Sequence, residues 1–217
     1  QKAPNRQRDI GVKGSEMFDL FKRKKGRGAR RRATPSMFAE FLEYFGEAPV
    51  LEDGAADPYD AFIDGLGGRS FGDGVFRVFE RSDLERWHRV VSGCFTKLRG
   101  EFNLIGYDWM GRCFAVDQRD GDGKELVVLL EIATLDMYYI GKDVAVFLNE
   151  VMPNQSEACL GVGRYREWLE GHAPVGRMEC GGYRIPLFLG GEDSLENMEV
   201  SDMEVLASGE NSHLKSN

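Results

Sequence analysis

The sequence predicts an α+β fold, with helices packed on a mainly antiparallel sheet built from hairpins. Apolar residues recur at helical spacing in some segments and alternate in others, and the two kinds come in mixed order. Twenty-seven glycines in 217 residues read as turn punctuation between short runs. A composition of 42% hydrophobic and 11% aromatic residues is enough to bury a core. No run of eighteen apolar residues occurs, so a spanning helix is excluded.

The elements follow in order. "TPSMFAEFLEYFGE" offers Ser36 as an N-cap, then Met37, Phe38, Phe41, Leu42 and Phe45 at helical spacing, with Gly46 as a stop. A loop leads to a short helical turn with Phe62, Ile63 and Leu66 inward. "SFGDGVFRVFE" carries Val75, Phe76, Val78 and Phe79 after a Gly-Asp-Gly turn and reads as a strand. In "RSDLERWHRVVSGCFTKL", Ser82 and Glu85 have capping-box spacing before an apolar face of Leu84, Trp87, Val90, Val91, Phe95 and Leu98. "FNLIGYDW" and "RCFAVD" form a hairpin across Met110-Gly111, where glycine supplies positive φ. A second hairpin turns through residues 120–123. "KDVAVFLNEVM" reads as a helix with Val144, Phe147, Leu148 and Val151 inward, and "ACLGVGRYREWLEG" as another, weakened at its start by Gly161 and Gly163. The end reads as a strand, a Gly-Gly corner, a polar loop and a last strand.

Charge divides the chain. Residues 1–35 hold twelve Lys or Arg against three Asp or Glu, while residues 36–217 hold sixteen against thirty-three, a balance of −17. The first 35 residues therefore read as a flexible basic extension, either a solvated tail or, through residues 20–35, a nucleic-acid-binding arm. An acidic body repels nucleic acid and favours a basic protein partner. The N-terminal residues contain no apolar h-region, and the four cysteines form no CxxC pair, which predicts a protein of the reducing cytoplasm.

The motifs of catalysis are missing. Three histidines form no HxxxH or HExxH, and His88 reads as a helix-surface residue. "DQRDGDGKE" approaches a calcium loop, but Gln118 and Leu129 stand where its terminal carboxylates belong. The Gly-rich stretches carry no Lys-Ser/Thr pair, and no GxSxG occurs. No catalytic residue, metal site or cofactor is expected. In "IGYDWMGRCFAVD", Ile105, Tyr107 and Trp109 are expected on one strand face and Gly106 and Asp108 on the other. Asp108 and Arg112 would then fix the hairpin tip by pairing or by bonding nearby backbone.

Taken together, "SFGDGVFRVFERSDLERW", "FNLIGYDWMGRCFAVD", "LVVLLEIATLDMYYIG", "VAVFLNEVMP" and "GGYRIPLFLGGEDSLENMEVSDMEV" resemble the immunity proteins of type VI secretion DNase toxins. Those proteins carry a GAD-like region followed by a C-terminal immunity domain. The resemblance covers about residues 36–210. It implies a GAD-like α+β region at 36–152 and an immunity-type region at 153–217 packed on it. Its specific parts are the DWxGR segment (Asp108, Trp109, Gly111, Arg112) and the segment with Pro186, Leu187, Phe188, Gly190, Gly191, Asp193, Asn197 and Asp202, both expected to be structural. Ala207-Ser208 departs from the pattern, in which an aromatic-containing strand precedes a short basic close.

The resemblance implies a non-enzyme that binds and blocks a nuclease toxin in the producing cell's cytoplasm. A nuclease groove must be cationic to hold phosphates, so an inhibitor gains by presenting carboxylates. The candidate toxin contacts are Glu52, Asp53, Asp57, Tyr59, Asp60, Asp64, Asp120 and Asp122, with Glu192-Asp193 as a further acidic loop and Tyr138 as a further aromatic anchor. The competing reading is a DNA-binding regulator, or another interaction module, that uses the basic arm.

Overall fold

The computed structural model describes residues 37–48, 57–119 and 125–207. The alternating runs form a six-stranded antiparallel sheet in chain order: β1 (Ser70–Phe71), β2 (Phe76–Val78), β3 (Phe102–Asp108), β4 (Cys113–Asp117), β5 (Leu126–Glu131) and β6 (Asp136–Gly141). A second sheet pairs β7 (Glu179–Tyr183) antiparallel with β8 (Met198–Asp202). The helices are α1 (Ala39–Tyr44), α2 (Pro58–Leu66), α3 (Leu84–Cys94), α4 (Val144–Val146), α5 (Met152–Asn154), α6 (Ser156–Leu160) and α7 (Val162–Gly171). The architecture is α+β, as the mixed periodicities predict.

Both faces of the large sheet are covered, which is why "CFAVD" and "LVVLLE" read as continuous apolar runs. Phe76, Ile105, Phe114 and Leu129 face one core with Phe41, Phe62, Phe147 and Trp168. Tyr107, Ala115, Val128 and Leu130 face the other, under Trp87, Val91 and Leu98. Edge-to-face ring pairs run through the first core, including Phe41–Phe71 at 4.8 Å and Phe76–Phe114 at 5.5 Å. Residues beyond position 152 share both cores, Trp168, Val175 and Met198 in the first and Cys180, Met203 and Ala207 in the second. All four cysteines are buried free thiols, and burial pushes Cys159 up to about 11 and Cys180 up to about 12. Among the described residues no helix is long and apolar enough to cross a membrane.

Several local expectations change. The Ser36 cap, the basic extension and the 120–123 turn lie outside the described residues. No capping box forms at Ser82, because Arg81–Asp83 is a 3-10 turn and α3 starts from Asp83 without a side-chain cap. Ile105 and Tyr107 do not share a face. The register shifts between Leu104 and Gly106, and that bulge sends Ile105 to one core while Leu104 and Tyr107 face the other. The segment from Val144 to Asn154 is helical throughout but passes through a π turn at Phe147–Val151. Its N-terminus is capped by Asp143, which accepts from Val146 N–H at 2.8 Å. Helices α6 and α7 are separated at Gly161, φ 60°. The last strand stops at Asp202 and residues 203–207 are helical, since Asp202 accepts from Glu204 N–H at 2.7 Å and Val205 N–H at 3.3 Å.

Candidate functional site

Two constellations gather the signature residues. The first is the β3–β4 tip. Asp108, fully buried, accepts from the backbone N–H groups of Met110 and Arg112 through Oδ1, both at 3.0 Å. Its Oδ2 takes Arg112 Nε at 2.6 Å. The turn between them needs Gly111, at φ 76°, where a side chain would also press on Cys180 and Leu206. Arg112 Nη2 then donates to Cys159 O at 3.1 Å, and Trp109 Nε1 to Leu160 O at 3.0 Å, so the tip grips the end of α6. Gly181 N–H donates to Trp109 O at 2.7 Å and joins β7 to the same point.

Burial pushes the Asp108 carboxyl up, against the pull of the Arg112 guanidinium and two backbone donors. Glu131, at the end of β5, lies 3.9 Å from Arg112, and burial raises its carboxyl to about 7. Every polar atom named here is committed to a neighbour. Such an arrangement fixes three chain segments to one another.

The second constellation is the connection from β7 to β8. Asn197 clamps it with three side-chain hydrogen bonds: it accepts from Ile185 N–H at 3.1 Å and donates to Ile185 O and Glu192 O, both at 2.9 Å. Pro186 O accepts from Leu189 N–H at 2.9 Å and Gly191 N–H at 3.1 Å, closing the 3-10 turn Leu187–Leu189 that includes Phe188. Gly190 follows at φ 89°. Gly191 admits no side chain, because a Cβ there would collide with Ile185 O. Asp193 takes Arg164 Nη1 at 2.5 Å and the Tyr183 hydroxyl at 2.6 Å. Those two bonds hold Asp193 below the usual carboxylate range, while burial foremost raises Tyr183 to about 12. Beside this loop is an open groove of about 370 Å³ lined by Glu157, Arg164, Glu167, Asp193 and Leu195.

The predicted acidic contacts fare unevenly. Glu52, Asp53, Asp120 and Asp122 lie outside the described residues. Asp57 is the N-cap of α2, accepting from Tyr59 N–H at 2.9 Å and Asp60 N–H at 3.4 Å. Asp60 and Asp64, one turn apart, both pair with Arg81, at 2.9 and 2.6 Å. Tyr59 is tethered rather than free: its hydroxyl donates to Leu104 O at 3.0 Å, and burial raises it to about 12. Tyr138, on β6, donates to Asp136 Oδ2 at 3.3 Å. On α2, Asp60 and Asp64 thus share one counterion, Arg81, whereas in the β7–β8 loop Asp193 is paired with Arg164 at the edge of the open groove.

Sequence reasoning missed Glu131, Glu157 and Arg164. Glu131 ends an apolar strand, and only pairing β5 with β4 brings it to Arg112. Among the described residues no group of three or more His, Cys, Asp or Glu is arranged to hold a metal ion.

Among solved structures, the chain is similar to the crystal structure of Atu4351 from Agrobacterium tumefaciens, with a TM-score of 0.56 and 16% identity. The match covers 80% of this chain and 88% of that one, and at this identity it speaks for the fold alone. No protein-family model and no curated protein matches the chain.

Proposed function

We propose that this protein is an immunity protein that binds and neutralises a cognate type VI secreted nuclease in the cytoplasm of the producing bacterium. It is a binding protein and not an enzyme. The reading rests on the Asn197 clamp, in which one side chain holds a surface loop of residues 185–197, with three carboxylates and no Lys or Arg, in a single shape. A loop ordered before encounter loses little conformational freedom on association, and its carboxylates suit a partner whose own ligand is polyanionic. The sequence resemblance and the −17 balance of residues 36–217 point the same way.

The test is co-expression of the full chain with the product of the neighbouring toxin-like gene, followed by pull-down and a DNA-degradation assay. A stoichiometric complex with intact DNA is the expected result. Degradation unchanged by the chain, with no complex, would overturn the proposal. Retardation of DNA by the chain, lost on deletion of residues 1–35, would put the regulator in its place.

A further inference from the structure

We infer that the outward side of the Ile185–Asn197 loop is the docking face for the toxin, occupied by a cationic protein surface with an apolar centre. The inference deepens the immunity reading and rests on it. Ile185 is 54% and Leu189 61% exposed, although both are large aliphatic side chains. Mobility would be the ordinary reason for an exposed aliphatic pair on a loop, but this loop is clamped at Ile185 itself, on both its N–H and its carbonyl. The pair is therefore held in water by design of the backbone. Covering it releases apolar surface from solvent at small ordering cost.

Charge names the partner. Glu192 and Glu196 have no ion pair among the described residues, and the adjoining groove adds Glu157 and Glu167, its one cation, Arg164, being paired with Asp193. Apolar anchors beside a carboxylate rim match the anatomy of a hot spot and select a basic occupant. The rival surfaces carry less. The α2 carboxylates already share Arg81. The β6 edge shows Tyr138 and Tyr139, but the Tyr139 hydroxyl bonds Asp117 and Arg119, and a register shift between Val127 and Val128 distorts the pairing beside it.

The experiment measures toxin binding by the full chain, by Ile185→Asp/Leu189→Asp and by Glu192→Lys/Glu196→Lys, with the melting temperature of each. The aspartate pair should weaken binding by at least about 30-fold at an unchanged melting temperature. The lysine pair should slow association about tenfold at low salt and less at high salt. Wild-type binding with both variants within about threefold of it overturns the docking face and leaves the immunity reading standing. Absence of wild-type binding removes both. Should the aspartate pair unfold the chain, the lysine pair decides, and association unchanged at low salt overturns the assignment.

Discussion

The β3–β4 tip and the β7–β8 loop use the same device in opposite surroundings. In each, one polar side chain, Asp108 or Asn197, gathers several backbone partners around a turn that needs glycine. At the tip the gathered groups are buried and grip α6 and β7, so the device fixes how elements pack. In the loop the clamp is exposed, and what it orders is a stretch of surface. A buried polar clamp governs stability; an exposed one governs shape. Damage to the two should be read on different instruments.

The largest effect belongs to the tip. Asp108→Ala leaves Arg112 buried without its closest counterion and frees two backbone donors, so a loss of about 3–5 kcal/mol is expected. Urea denaturation checks it, and a loss below about 1 kcal/mol would show that the tip is not a packing anchor. Asn197→Ala should lower stability by only about 1–2 kcal/mol, because water replaces part of what is lost. Its effect on toxin affinity should be larger than its effect on the urea midpoint. Equal losses in both would erase the contrast between the two regions.

Glu131 sharpens the comparison through pH. Burial holds its folded-state carboxyl at about 7, above the ordinary 4.5. Between those values the folded chain keeps a proton that the unfolded chain releases. Its contribution is therefore fully present below about 4.5, is lost as pH rises through about 7, and is absent above. Urea midpoints of wild type and Glu131→Gln should converge near pH 5, with the variant the more stable at pH 8. Parallel curves would mean that Arg112 fully compensates the charge. Toxin binding should be indifferent to this substitution if the tip serves only packing.

The helices and hairpins were legible because their periods are local. Trp87, Val91 and Leu98 lie on the inner face that their spacing predicts, and Gly111 turns the hairpin as expected. What failed was non-local or rested on one extra residue. The bulge at Leu104–Gly106 has no signal in "FNLIGYDW", yet it reverses the side on which Ile105 lies. The Ser82 spacing is right for a cap, but a 3-10 turn intervenes. At the site, the resemblance singled out Asn197 and Asp193, whereas their roles depend on Ile185, Arg164 and Tyr183, which only the fold brings near. Acidic residues taken by composition alone pointed to four segments, and of the two that the structure describes, α2 has Arg81 beside Asp60 and Asp64 while the β7–β8 loop has Arg164 beside Asp193 alone. Carboxylate density in a sequence does not say which carboxylates are already answered.

That last difference yields the smallest expected effect and the sharpest control. Asp60 and Asp64 are more than half exposed in their pairs with Arg81. Pairs of that kind contribute about 0–1 kcal/mol each, the more weakly as salt rises. Asp60→Ala/Asp64→Ala should therefore shift the urea midpoint slightly and leave the toxin dissociation constant within about twofold of wild type. The substitution exposes a free Arg81 on the α2 surface, so any contact made there by a cationic toxin would be visibly weakened. A tenfold loss would move the docking face to α2 and make the clamped loop a bystander. An unchanged constant, beside a large loss at Ile185 and Leu189, would leave the loop as the surface that the fold holds ready.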